Sequence, residues 1–405
     1  MQVGVADFGG LWRMTFRNLA LRLMAAATVV LLVAGCSDRP GIDALVPVSA
    51  PLAEGAREQV ILVASTRERD PRPGVFFNGE RSAQLNFAKI DLSVPPTHRP
   101  GEIEWPKNGL GNPTTDMVVR EAIYRDTEGE FLRDLKSELA RRPAGKRNVF
   151  IFVHGYNTMF SEALYRLAQM ATDSDAPAVP ILFTWASRAT TEGYVYDNNS
   201  ATAARDQLEE TIRLAFGSGA DQVSILAHSM GNWLTVEALR QIRISGKTLP
   251  VNKIGNIILA APDIDVDVFK TQLRRFGKPP KPFIVVVSRD DKALGFSDFL
   301  AGKKPRLGEY ANDTELVGLG AVVVDMTDVK ALDSFNHGKF AQLAEMAPQL
   351  QSALASANGT ASSNTVQMEG VRITGLDQAR AAHPPGPVGQ SASVQPAATP
   401  TAPAQ

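Results

Sequence analysis

The stretch Q-V-S-I-L-A-H-S-M-G-N-W-L, from Gln222 to Leu234, decides how the chain is read. Val223, Ile225 and Leu226 form a short apolar run of strand type, and the spacing from Met230 to Arg240 predicts a helix. Ser229 stands at the joint. A chain that passes from strand to helix in one residue turns so tightly that its flanks nearly touch. Only small residues fit there, and Ala227 and Gly231 occupy those two places.

This arrangement resembles the nucleophile elbow of α/β-hydrolases, small-x-Ser-x-small. Ala227 stands where glycine is more usual, a departure of one methyl group. The competing reading of Ser229 is an ordinary helix-capping serine. The rest of the chain decides between them.

With 405 residues, 44% hydrophobic and 21% charged, there is material for one large α/β domain with tails, or for two small domains. A net charge of −1 offers no basic field for a nucleic-acid partner. Arg13, Arg17 and Arg22 precede an apolar segment, Leu23 to Ala34, which is short for a membrane span and fits a secretory signal over residues 1–35. Val33-Ala34-Gly35-Cys36 resembles the lipobox of bacterial lipoproteins, and that resemblance implies cleavage before Cys36 and lipidation of its thiol. Cys36 is the only cysteine, so no internal disulfide can form. The implied location is the bacterial envelope, with membrane attachment through Cys36. Ser37 in place of aspartate favours the outer membrane, by analogy with enteric bacteria.

Residues 36–58, rich in Pro, Ala and Gly, are expected to form a tether. Val60 to Ser65 and Phe87 to Val94 read as opening strands, with T-R-E-R-D-P-R-P-G, including Thr66 and Arg67, as an exposed loop between them. Phe131 to Arg141 has helical spacing, and Asn148 to His154 is an apolar run suited to a strand buried on both faces. Phe160 to Met170 is an amphipathic helix, and Val179 to Trp185 a further buried strand. Tyr194 to Ser200 is expected as a rim loop, with Ser200 capping a helix to about Phe216; Tyr194, Tyr196 and Trp185 are candidate cleft aromatics. Strands follow at Ile254 to Ala261, Phe283 to Val287 and Ala321 to Asp325, then a closing helix from Phe340 to about Leu354. Alternation of apolar strands and helices predicts a mainly parallel sheet with helices on both faces, over residues 59–356. Residues 357–405 lose all period and read as a disordered tail, with Val371 and Ile373 as a candidate short strand.

A serine hydroxyl needs a base within hydrogen-bond reach and an acid to orient that base. In the fold that the elbow resembles, the chain order is serine, acid, histidine. Of the five histidines, His98 and His154 precede Ser229, His228 lies in the elbow and is expected to point away, and His383 falls in the tail. His337, after the last expected strand, is left as the base. Asp291 is the favoured acid, with Asp290 beside it and Asp263 after the preceding strand as alternatives; Asp263 and Asp265 equally suit loop-forming or capping roles. His154-Gly155-Tyr156-Asn157 resembles the oxyanion loop of the same fold, which points to the backbone N–H groups of Tyr156 and Met230, with His154 fixing the loop. No spacing indicates a metal site or a phosphate loop, so no cofactor is expected.

From Val60 to Ala355 the chain resembles a proteobacterial family of α/β-hydrolases of unknown function, in which V-A-S-T-R, F-V-H-G-Y-N, A-H-S-M-G-N and A-A-P-D-I-D recur in this order. The resemblance implies a serine hydrolase of esterase or lipase type. The short gap between the Asp263 and Asp291 strands leaves no room for a large cap domain. A small-molecule or lipid ester is the expected substrate. Transfer of the acyl group to another acceptor is a variant, and a non-catalytic binding protein on the same scaffold is the rival.

Overall fold

Apolar runs with no polar face, such as V-F-I-F-V, must be covered on both sides, and the centre of the molecule is built from them. The computed structural model describes residues 39–106, 109–276, 281–300, 303–346, 364–368 and 370–378. In chain order these form β1 (Arg57–Arg69), β2 (Phe77–Val94), β3 (Val118–Arg125), α1 (Glu128–Ala140), β4 (Asn148–Val153) and α2 (Phe160–Asp173). There follow β5 (Ala178–Thr184), α3 (Tyr194–Ala203), α4 (Arg205–Gly217), β6 (Gln222–His228), α5 (Met230–Ile244), β7 (Ile254–Ala260) and α6 (Val266–Phe276). The remaining described elements are β8 (Phe283–Val287), α7 (Lys292–Leu300), α8 (Asp313–Gly318), β9 (Ala321–Asp325), β10 (Thr365–Met368) and β11 (Val371–Thr374).

The strands make one sheet in the order β10-β11-β9-β8-β7-β6-β4-β5-β1-β2-β3. From β9 through to β1 every neighbouring pair is parallel, and the outer strands at both edges are antiparallel. Each face carries its own apolar core. On one, Phe131 of α1, Leu208 and Ile212 of α4, Leu234 of α5 and Phe269 of α6 pack together; on the other, Phe160 and Leu164 of α2 meet Phe340, Leu343, Ala44 and Leu45. This is the α/β-hydrolase architecture.

Its topology fixes where chemistry can sit. After β4 the chain goes to β5 on one side of it and then returns to β6 on the other, so the loops leaving β4 and β6 diverge around a crevice at their carboxyl ends. Val153 pairs with Ala227, and His228 with Ala260, so the ends of β4, β6 and β7 are level.

Several expectations need correction. The T-R-E-R stretch is strand, not loop: β1 runs on to Arg69, and Arg67 is wholly buried. β3, whose V-V-R-E-A-I-Y-R alternates, was not anticipated. Tyr194 to Ser200 is helical, and Ser200 caps nothing; its hydroxyl donates to the Tyr196 carbonyl and accepts from Arg81. The tether expected over 36–58 is packed on the body from Pro40. Ala44, Leu45 and Val48 are buried, the Tyr165 hydroxyl donates to the Ala44 carbonyl at 2.5 Å, and Val48 N–H to the Val119 carbonyl. The domain therefore begins well before residue 59. It also extends past 356, because β10 and β11 add to β9 and Leu376 is buried. Lys339–Gln342 is a 3-10 turn leading into helical residues to 346, beyond which the expected closing helix lies outside the described residues. The expected signal segment, Cys36 and the tail after 378 also lie outside them.

Candidate active site

Ser229 connects β6 to α5 with φ 53° and ψ −123°, a conformation that an L-residue adopts only under constraint. The constraint is visible. Its N–H donates to the Ala260 carbonyl, and its own carbonyl accepts from Asp263 N–H and from the Asn232 side-chain amide at 2.9 Å. Asn232 also reaches the Ala260 carbonyl at 2.8 Å, tying the elbow to β7. The crowding read from the sequence is present: a Cβ on Gly231 would press into the His154 carbonyl oxygen, and one on Gly155 would lie 2.8 Å from Ser229 Cβ.

The loop after β4 lies directly over this turn. His154 is buried, donates from Nδ1 to the Gly155 carbonyl at 2.9 Å, and accepts at Nε2 from the Trp185 N–H at 3.2 Å. Burial, then the nearby Arg67 guanidinium, push its pKa down to about 3, so the ring is neutral and holds the loop. Arg67 donates to Thr184 Oγ1 at 2.8 Å and to the carbonyls of Thr158, Ser187 and Asn78 at 2.8, 2.9 and 3.2 Å. Burial lowers its pKa to about 10, which leaves it charged at neutral pH. Asp197, fully buried on α3, accepts from Asn157 N–H and from the Ser187 hydroxyl. The loop is thus clamped from both sides. Among the described residues, the N–H groups of Tyr156 and Met230 have no protein acceptor.

The two remaining side chains arrive from the ends of β8 and β9. Asp291 Oδ1 caps α7, accepting from Ala293 and Leu294 N–H at 3.0 and 3.1 Å, while Oδ2 accepts from His337 Nδ1 at 2.7 Å. Asp333 receives three backbone N–H groups of its own loop, including that of His337. Burial opposes charge on His337, but Asp291 outweighs it and raises the pKa above the usual 6.5. Asp290 is turned away to Lys339, at 2.7 Å, and to Asn336. Asp263 pairs with Arg306 at 3.1 Å and accepts from Ser297 at 2.6 Å, and Asp265 caps α6. Of the candidate acids, only Asp291 touches the histidine.

Ser229, His337, Tyr156 and Asp263 line one cavity of about 1240 Å³, walled by apolar side chains that include Trp105, Phe152, Leu294 and Phe340. That exceeds the ~300–1,000 Å³ of most small-molecule pockets. No hydrogen bond joins Ser229 Oγ to His337 among the described residues; such bonds often tighten only when substrate is bound. His228 does not point away. Its Nε2–H donates to the His337 carbonyl at 3.3 Å, and its ring stacks on Phe340 at 3.9 Å. Burial, then the neighbouring His337, drive its pKa well below 6.5. Of the three cleft aromatics, Tyr194 lines the cavity, whereas Tyr196 bonds to Glu80 and Trp185 stacks on His154. Arg67, Asp197 and Asn232 were not assigned these roles from sequence. Asn232 was visible within A-H-S-M-G-N and Arg67 within V-A-S-T-R, though its charge read as exposed loop; Asp197 gave no signal that distinguishes it from a surface charge.

A family model described as "alpha/beta hydrolase of unknown function (DUF900)" matches residues 127–353, more than half of the chain. The chain belongs to this family. The matched stretch carries Ser229, Asp291, His337 and the Tyr156 loop, while β1 to β3 and V-A-S-T-R precede it. No curated protein matches the sequence. Among the described residues no helix is long and apolar enough to cross a membrane.

Proposed function

We propose that this member of the family is a serine hydrolase of carboxylic esters, held in the bacterial envelope by lipid on Cys36. The supporting observation is the 2.7 Å contact of His337 Nδ1 with Asp291, made on the wall of the cavity that also contains the constrained Ser229.

The Nδ1–H bond to Asp291 leaves the Nε2 lone pair free. Ser229 Oγ attacks the ester carbonyl while its proton passes to Nε2, and Asp291 stabilises the imidazolium so formed. Negative charge on the tetrahedral oxygen is met by the N–H groups of Tyr156 and Met230; one such donor contributes about 2.7–4 kcal/mol in comparable sites. The C–O bond to the alcohol breaks, the alcohol takes the proton from His337, and an acyl-serine remains. Water then attacks with His337 again as base, releasing the carboxylic acid. If an alcohol or amine takes the place of water, the same steps transfer the acyl group.

A fluorophosphonate reagent tests the assignment. Labelling of the folded protein that disappears in Ser229→Ala and falls sharply in His337→Ala is expected. A folded protein that takes no label would leave only a binding role. For the anchor, mass spectrometry of the mature N-terminus should find an acylated Cys36.

A further inference from the structure

We propose that the carboxyl edge of the sheet rests on the anchoring bilayer, and that the cavity takes its ester from that bilayer. The substrate class is then an acyl lipid of the host membrane rather than a dissolved ester. This rests on the serine hydrolase reading and on the lipidation of Cys36.

The first observation is the length of the leash. A tether from Cys36 to Glu58 would reach about 75 Å and let the body face any direction. The structure shortens it. Arg39 lies on the cavity wall and is fastened there, donating to the Ala189 carbonyl at 2.7 Å and to the Asn157 carbonyl and side chain at 3.0 and 2.9 Å, with Glu162 at 3.4 Å. Three Cα–Cα steps separate Arg39 from Cys36, a span of at most about 11 Å. The interfacial layer of a bilayer is about 5–8 Å deep on each side of the hydrocarbon. A lipid on Cys36 therefore keeps the cavity rim within a few ångströms of the headgroups.

The second observation is independent of the cysteine. Among the described residues the two most exposed large apolar side chains are Ile42 and Val195, at 78% and 71%, followed by Leu332 at 58% and, at the opposite edge before β7, Val251 at 57%. Ile42 packs its backbone on Gly74 in the turn after β1; Val195 and Leu332 lie in the segments that follow β5 and β9. Ile42 and Val195 thus belong to the edge where the parallel strands end, beside the cavity-lining Arg39 and Tyr194, and Leu332 flanks the cavity next to Asp333, against Gly101. Isolated apolar side chains that are costly in water insert readily at a bilayer interface.

The test uses the full-length lipidated protein in vesicles of phosphatidylethanolamine and phosphatidylglycerol with spin-labelled lipid as quencher. Acylation blocks the single native thiol, so a fluorophore attached through Val195→Cys or Leu332→Cys reports one position. Strong quenching is expected at both, and none at Ile244→Cys, at the far end of α5, about 22 Å along the helix from the elbow. Equal quenching at all three, or none at 195 and 332, overturns the proposal. In a second arm, Ile42, Val195 and Leu332 are replaced together by Ser. Turnover of a long-chain ester embedded in the vesicles should fall at least tenfold, with turnover of a soluble short-chain ester within twofold; unchanged vesicle turnover, or equal loss on both, overturns it. A parent protein inactive on both esters refutes the hydrolase reading, whereas the quenching result still decides the membrane face. Labelling of Cys36 in the parent refutes the anchor and with it the proposal.

Discussion

Asp291→Asn isolates the charge behind His337 with little change in shape. The carboxylate serves two masters, its Oδ1 capping α7 and its Oδ2 holding Nδ1–H of His337. An amide has one acceptor and one donor. If its oxygen stays on the cap, its NH₂ faces Nδ1 and forces the ring proton onto Nε2, which can then no longer accept from Ser229. If the oxygen turns to the ring, α7 loses its cap, at a cost of about 0.5–2 kcal/mol. In both cases the imidazolium loses a carboxylate whose charge centre lies about 4 Å away, an attraction of about 4 kcal/mol at an effective dielectric constant near 20. At about 1.36 kcal/mol per decade that is a fall in kcat of about a thousandfold. The assay is hydrolysis of a short-chain nitrophenyl ester per folded protein, with thermal unfolding measured alongside. Asp290→Asn should weaken the contact of buried Lys339 and cost some stability, yet leave kcat within about threefold, because the His337 ring is held by Asp291 and not by Asp290. Asp263→Asn strands buried Arg306, so the variant should lose about 3–5 kcal/mol of stability, with the smaller effect on kcat. If Asp291→Asn keeps more than about a tenth of the activity, or Asp263→Asn loses more than it does, the assignment of the acid is wrong.

Further outcomes are expected. With His337 raised above 6.5 and required neutral, kcat/KM should rise with pH through a midpoint above 6.5, and Asp291→Asn should move that midpoint down. Gly155→Ala places a methyl 2.8 Å from Ser229 Cβ and should cost about 1–3 kcal/mol in stability along with most of the activity, read by melting and ester turnover. Arg67→Met leaves the Thr158, Ser187 and Asn78 carbonyls short of a donor, at about 1–3 kcal/mol each, so denaturant unfolding should show at least about 3 kcal/mol lost. His98, between Glu104 and Asp173, is opposed by burial but raised by both carboxylates to about 9. Its contribution is complete below the unfolded value near 6.5 and lost as pH rises through about 9, so melting temperature should fall over that window and His98→Gln should flatten the fall.

The parts legible in the sequence are those where one residue type answers one steric demand. Apolar runs such as Asn148–Val153 read correctly because both their faces are covered, and the elbow because Gly231 has no room for a side chain. Chain order singled out His337, and its contact with Asp291 required coordinates only to choose among neighbouring carboxylates. The failures share a cause. Arg67 looks like a surface charge until three distant carbonyls and a threonine are brought around it, and no local pattern records those partners. The segment from Pro40 to Ala50 has the composition of a linker, yet Leu45 and Val48 find a groove beside α2 and β3 that only the folded body creates. Tyr194 to Ser200 lacks helical amphipathicity because its helix is held by polar contacts, with Asp197 at their centre.

The backbone angles at Ser229 carry one more consequence. Glycine would sit there at ease, relieving about 1–3 kcal/mol of conformational strain. Against this stands only about 0.5–1 kcal/mol of additional unfolded-chain freedom. Ser229→Gly should therefore melt no lower than the parent while being chemically inert. A scaffold kept solely for docking would drift toward that sturdier version, with nothing to oppose it. On the proposed function, a hydroxyl at the least comfortable point of the chain exchanges durability for reactivity.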